Sequence, residues 1–157
     1  MANSRTAPYP AYNYTVSFVN LDGVPQPGDL LGGFSDVSGL STEIHISEYR
    51  NGNQSESAVT KVPGSYKVGD VTLKRGVVNT IPMFNWHLQT RKYGIAAQRD
   101  VVITMQDESG SPVQTWTLRR AVPMKYTGPT LAGKGGGEVA MEELVLSAEG
   151  FEVAPAS

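Results

Sequence analysis

Val101-Val102-Ile103-Thr104-Met105-Gln106, then Asp107-Glu108-Ser109-Gly110-Ser111-Pro112, then Val113-Gln114-Thr115-Trp116-Thr117-Leu118 is the stretch whose reading decides the fold class. Val101, Ile103 and Met105 fall on one face of an extended chain, and Trp116 and Leu118 fall on one face of the return run. A period of two with β-branched and aromatic residues is the pattern of a half-buried strand. The Asp-Glu-Ser-Gly-Ser-Pro cluster between the runs supplies turn chemistry. The spacing predicts a β-hairpin whose return strand runs from Val113 to Ala121.

Upstream of this hairpin the pattern changes once. Between Thr80 and Tyr93 the sequence predicts a helix, with Pro82 in the first turn, where a missing N–H costs nothing, and Arg91 and Lys92 in the last. Phe84 and Leu88, spaced i and i+4, form its expected apolar face, and Gly94 ends it. The rest reads as strands and loops. Tyr12 to Leu21 alternates, with Tyr12, Tyr14, Val16 and Phe18 on one face; Asp22-Gly23 and Pro25 to Asp29 then close it with a turn and loop. A second strand is expected over Val37 to Tyr49, where Ile44 and Ile46 face the core and Glu43, His45 and Ser47 face away. Arg50 to Ser57 is polar and long for a connection, and such loops tend to serve a partner. Tyr66 to Val78 holds a third strand region. Glu138 to Glu149 fits a helical stripe (Met141, Leu144, Val145, Ala148) as well as a strand (Leu144, Leu146), and periodicity alone leaves both open.

Length and composition set the bounds. A chain of 157 residues fits one domain, read as spanning 1–157 with a small, polar, proline-punctuated arm at 1–11. With 39% hydrophobic and 18% charged residues it is globular, and 17 glycines with 10 prolines favour many turns and short strands. A net charge of −2 gives no basic footprint for nucleic acid, and zero cysteines exclude disulfides, thiolate metal sites and cysteine nucleophiles. No apolar run approaches membrane-spanning length, and Met1 to Pro8 lacks the apolar core of a secretory signal, so synthesis and folding in the cytoplasm are expected.

Candidate chemistry is sparse. Gly128-Pro129-Thr130-Leu131-Ala132-Gly133-Lys134 matches the spacing of a phosphate-binding loop, but Gly135 stands where a magnesium-binding Ser or Thr belongs, and further glycines follow where a helix should start. His45 and His87, the only histidines, have no second ligand at a metal-binding spacing. Glu142 and Glu143 are adjacent, so on a strand they point to opposite faces and form no acid–base pair; a solvated or subunit-boundary position is expected. The sequence points to no enzyme, no cofactor and no metal.

Taken in order, several segments resemble one family, the tail-tube proteins of contractile phages and the inner-tube proteins of related extracellular injection systems. They are Phe34 to Leu40 leading into Glu43 to Arg50, Lys61-Val62-Pro63-Gly64, Val71 to Gly76, Phe84-Asn85-Trp86, Arg99 to Asp107, Ala121 to Pro129, Glu138 to Leu146 and Glu149-Gly150-Phe151. Each piece is short; their serial order from Tyr12 to Val153 carries the likeness.

The resemblance implies an antiparallel β-barrel-like sandwich with one flanking helix, six copies to a ring, and rings stacked into a hollow tube whose last subunit segment is a strand. It implies as partners the chain itself, a surrounding sheath, baseplate and cap proteins, and toxin cargo or phage DNA in the lumen. The particle would be assembled in the cytoplasm and then form part of a phage tail or an extracellular or cell-associated injection particle. On this reading the 50–60 loop, with Arg50, Asn51, Asn53, Gln54 and Glu56, contacts the adjacent ring. Glu43, His45 and Ser47, with Glu143 from the carboxy-terminal segment, are candidates to face the lumen, and strand pairing between neighbours closes the ring. A tube-initiator or baseplate-end paralogue of the same fold is an alternative. So is a monomeric β-sandwich binding module using Tyr9, Tyr12, Tyr14 and Trp116 as stacking surfaces, which a size measurement would separate from a ring.

Overall fold

A computed structural model describes residues 6–20, 34–50, 52, 59–77, 82–135 and 139–156. The elements in chain order are β1 (Tyr14–Asn20), β2 (Asp36–Ser38), β3 (Thr42–Tyr49), β4 (Thr60–Val68), β5 (Val71–Gly76), α1 (Pro82–Tyr93), a 3-10 turn (Gly94–Ala97), β6 (Arg99–Gln106), β7 (Pro112–Thr127), β8 (Met141–Ser147) and β9 (Gly150–Pro155). Strands β1-β6-β7-β8-β5-β2 hydrogen-bond in that order, β9 adds to β7, and β3 and β4 form a separate two-stranded sheet. Every pairing is antiparallel.

The β6–β7 hairpin lies where the sequence places it. Its turn is held by Asp107, whose side-chain Oδ1 accepts from the Ser109 amide at 2.9 Å and the Ser111 amide at 3.0 Å. Gly110 supplies the left-handed residue, at φ 88°. β7 continues past the expected end at Ala121 to Thr127, because it serves two sheets in succession. Its first part pairs with β6 and β9, and from Val122 onward it pairs with β8. The bend between the two is a bulge at Arg119–Arg120, where Arg120 takes φ 52°. Asp100 holds that bend by accepting from the Arg120 amide at 3.0 Å and from the Arg119 guanidinium at 2.9 Å.

Curling one sheet about this bend encloses a single core. Val16 and Phe18, Val71 and Leu73, Val101 and Ile103, Leu118 and Ala121, and Leu144 and Leu146 all point inward. Met83 and Trp86 close it from α1. Trp86 meets Phe18 edge to face at 5.5 Å, and its indole N–H donates to the Ala97 carbonyl at 2.8 Å. Truncating a fully buried residue such as Leu73 to alanine would cost about 2–5 kcal/mol.

Several expectations are corrected. The helix packs with Met83 and Trp86 inward, whereas Leu88 is exposed and Phe84 only half-buried. The segment 37–49 is no continuous strand: Gly39, at φ 87°, separates β2 from β3. Thr60, read as loop, begins β4, a strand that the sequence reading missed as far as Tyr66. The third strand region divides at Gly69-Asp70 into the end of β4 and β5. The first strand starts at Tyr14, leaving Tyr12 exposed. The ambiguous segment is a strand, β8, as the resemblance implied. The turn and loop read at 22–29 lie outside the described residues.

Candidate assembly surfaces

The β3–β4 hairpin leaves the body of the fold. All eight residues of β3 are exposed, and so is β4 except for Val68. One face carries Ile44 opposite Tyr66 and Ile46 opposite Pro63. Ile44 and Ile46, expected in the core, are therefore corrected to the surface, at 56% and 45% exposure, with Tyr66 at 61%. A two-stranded hairpin is at best marginally stable alone in water. An apolar face on such an element, left uncovered by its own chain, is the kind of surface that a partner buries.

Glu43, His45 and Ser47 lie on β3, each exposed as expected. Glu143 lies elsewhere, on the outer face of β8, paired to Lys74 at 3.1 Å. Its neighbours on that face are Thr127 of β7 and Lys74 of β5, followed by Lys125, Val145 and Thr72, then by Asp36 and Ser38 of β2. The structure thus places the four candidates on two separate sheets. Of the loop candidates, Arg50 is exposed at the end of β3, and Asn51, Asn53, Gln54 and Glu56 lie outside the described residues.

The carboxy-terminal segment that supplies the lumen candidate Glu143 forms β8, an interior strand paired with β5 and β7, so ring closure by strand pairing falls to other strands. Among the described strands, unpaired backbone edges remain on β1, β2, β9 and both strands of the hairpin.

Glu142, expected to be solvated or at a subunit boundary, is instead buried within its own chain. The inward-facing residues of β5 are Val71, Leu73 and Arg75, and those of β8 are Glu142, Leu144 and Leu146. The two charges meet across the ladder: Arg75 Nε donates to Glu142 Oε1 at 2.8 Å, and the Tyr126 hydroxyl donates to Oε2 at 2.8 Å. Both charged side chains are about 5% exposed. This cluster joins three strands beneath α1, where Tyr126 also packs on Phe84 at 5.4 Å. Among the described residues no group of metal-ligating side chains occurs, and the glycine-rich 128–135 segment forms an open loop that no helix follows.

Burial, and then the hydrogen bond to Glu142, raise the Tyr126 hydroxyl pKa above its ordinary 10.0; burial followed by Asp36 does the same for Tyr14. A raised folded-state pKa contributes stability that is whole below pH 10 and declines as pH rises through the folded value. The expected outcome is a fall in melting temperature beginning near pH 10, shallower in Tyr126→Phe than in wild type. A pH series of thermal melts checks it.

The family model of the T4-like virus tail tube protein gp19 matches residues 10–152. The chain belongs to this tail tube family. Solved structures agree with the family's fold. A chain of the anti-feeding prophage baseplate, seen by cryo-EM with sixfold symmetry imposed, is 25% identical, with a TM-score of 0.81 over 96% of this chain and 97% of that one. A chain of an extracellular contractile injection system sheath–tube complex in the extended state is 24% identical, with a TM-score of 0.77 over 96% and 94%. A chain of the anti-feeding prophage tube-terminating cap is 23% identical, with a TM-score of 0.78 over 99% and 97%. No curated protein sequence matches. The tail tube family is a structural one.

Proposed function

We propose that this chain is the tube subunit of a contractile injection system or phage tail, a single tail-tube-like domain that forms six-membered rings stacked around a lumen. The observation that carries the reading is the likeness, over nearly all of both chains, to a chain of a sixfold-symmetrised baseplate. The other structural neighbours sit in sheath–tube and cap particles, which supports sheath, baseplate and cap proteins as this chain's partners. Toxin cargo or nucleic acid in the lumen follows from the same reading, as do assembly in the cytoplasm and a final place in the particle. No catalytic step is assigned.

Within that reading, unpaired strand edges of one copy pair with those of the next, which removes edges that would otherwise template aggregation. The polar outer face of β7–β8–β5–β2, with Glu143, Lys74 and Lys125, faces water in the lumen, as one side of an antiparallel sheet commonly does. The β3–β4 hairpin reaches a neighbouring copy with its apolar face, and the connection from Arg50 to Val59 contacts the adjacent ring. Rings joined head to tail by such unlike surfaces propagate as a filament.

Deleting Asn53 to Ser57 is the direct test of the stacking role. Folded single rings should remain while tube growth stops, read by sedimentation and negative-stain images. Normal tubes from the deletion variant would remove the loop from the stacking contact. A wild-type chain that stays monomeric at all concentrations would contradict the whole reading.

A further inference from the structure

The hairpin is attached to the body through a crossing with no spare room. β2 pairs with β5 and β3 pairs with β4, so the chain leaves the sheet and returns to it as one antiparallel ribbon, interrupted at Gly39–Ser41 on one strand and Gly69–Asp70 on the other. The Gly69 amide donates to the Ser41 carbonyl at 2.9 Å, and the Ser41 hydroxyl donates to the Gly39 carbonyl at 3.3 Å. Thr42 Oγ1 donates to the Lys67 carbonyl at 3.1 Å just beyond.

Both glycines are required by geometry. Gly39 takes φ 87°, and a Cβ there would fall on the carbonyl oxygen of Asp70, which is main chain and has nowhere to go. A Cβ on Gly69 would fall on the Ser41 hydroxyl, with the Gly39 carbonyl oxygen at 3.4 Å. By contrast, a Cβ on Gly52, beyond the far end of β3, meets nothing within 4 Å.

We propose that the Gly39/Gly69 crossing is a fixed neck that sets the direction of the β3–β4 hairpin, so that its apolar face is offered to a second copy of this chain in one orientation. The proposal rests on the tube-subunit reading for the identity of the partner, but the neck itself is a property of the monomer. A mobile hairpin would have to order its whole length on binding and would lose affinity in proportion. A pinned one has met that cost during folding. Neck substitutions then damage assembly far more than they damage the core, because the neck adds only the partly buried Leu40 to the core and none of its fully buried side chains.

The two glycines make different predictions. Gly39→Ala meets main chain in a left-handed conformation and should raise the concentration needed for ring and tube formation by on the order of tenfold or more. Gly69→Ala meets only a side chain, so it should weaken assembly less, and Ser41→Ala in the same chain should restore it by removing the hydroxyl in the way. Gly133→Ala, on the open 128–135 loop where a Cβ also meets nothing within 4 Å, should assemble as wild type.

The chain has no cysteines, so Glu48→Cys on the hairpin and Lys125→Cys on the body can carry spin labels cleanly. In labelled chain diluted with unlabelled chain, the wild-type neck should give one narrow distance distribution between the labels. Gly69→Ala should broaden or shift it, and Ser41→Ala with Gly69→Ala should bring it back. If Gly39→Ala does not fold, this pair and its rescue decide the matter. An unchanged distribution and unchanged assembly in Gly69→Ala would overturn the neck. A wild-type chain that shows the narrow distribution but never assembles would leave the neck standing and remove the tube reading.

Discussion

Arg75→Ala is expected to cost about 3–5 kcal/mol of folding stability, because it strands a buried carboxylate. Glu142 is buried with its two oxygens committed to Arg75 and Tyr126, and removing the guanidinium leaves one neutral hydroxyl to hold a charge out of water. For a chain of this length the loss corresponds to a melting temperature lower by roughly 10 °C. The cost belongs to breaking the pair and not to lacking it. Replacing all three members by apolar residues, in Arg75→Met with Glu142→Leu and Tyr126→Phe, should recover most of the loss, as well-packed hydrophobic replacements of buried ion pairs often do. Thermal and urea unfolding of the single and triple variants checks both halves. A single variant melting within a degree of wild type would show that the pair is not buried as described.

The second large effect lies on the hairpin and leaves the monomer untouched. Ile44→Asp with Ile46→Asp should change subunit stability by no more than about 0.5 kcal/mol, because both side chains are exposed in the folded chain. Assembly should be lost at any practical concentration. Burying one isoleucine at an interface contributes roughly 1.5–3 kcal/mol, and a carboxylate in its place adds a desolvation cost. Since every subunit of a ring carries the change, the penalties multiply around it. Sedimentation should show monomers with an unchanged circular dichroism spectrum. Tubes formed by this variant would mean that the apolar face of the hairpin is not an assembly contact.

These two regions also show how much of the molecule can be read from its sequence. The β6–β7 hairpin was legible because alternation and turn chemistry agreed, and Asp107 and Gly110 carry out the roles that the turn cluster suggested. The existence of α1 was legible from Pro82 and Gly94, but its buried face was not. Phe84 and Leu88 at i, i+4 compete with Met83 and Trp86 at i, i+3, and only the shape of the sheet beneath decides which pair turns inward. Ile44 and Ile46 were misplaced for a different reason. Alternation records that a face is meant to be buried, and it reads the same whether the chain's own core or another copy covers it.

The Arg75–Glu142 pair left a signal that could have been used. In Val71-Leu73-Arg75 a charge ends an inward-facing series, and in Glu142-Leu144-Leu146 a charge begins one. Two opposite charges on the inward faces of separate strands are expected to find each other, since neither could be buried alone. What the sequence could not supply is the partner assignment of the strands, and so which edges stay free. That depends on β7 bending at Arg120 to serve two sheets, a feature held by Asp100 twenty residues away.

The deciding measurement is a high-resolution map of the assembled particle. Closed sixfold rings are expected, in which main-chain hydrogen bonds join a free strand edge of one copy to that of its neighbour, with Glu143, Lys74 and Lys125 facing the lumen. Subunits that touch only through side chains, or an outer face of β7–β8–β5–β2 turned away from the lumen, would contradict it.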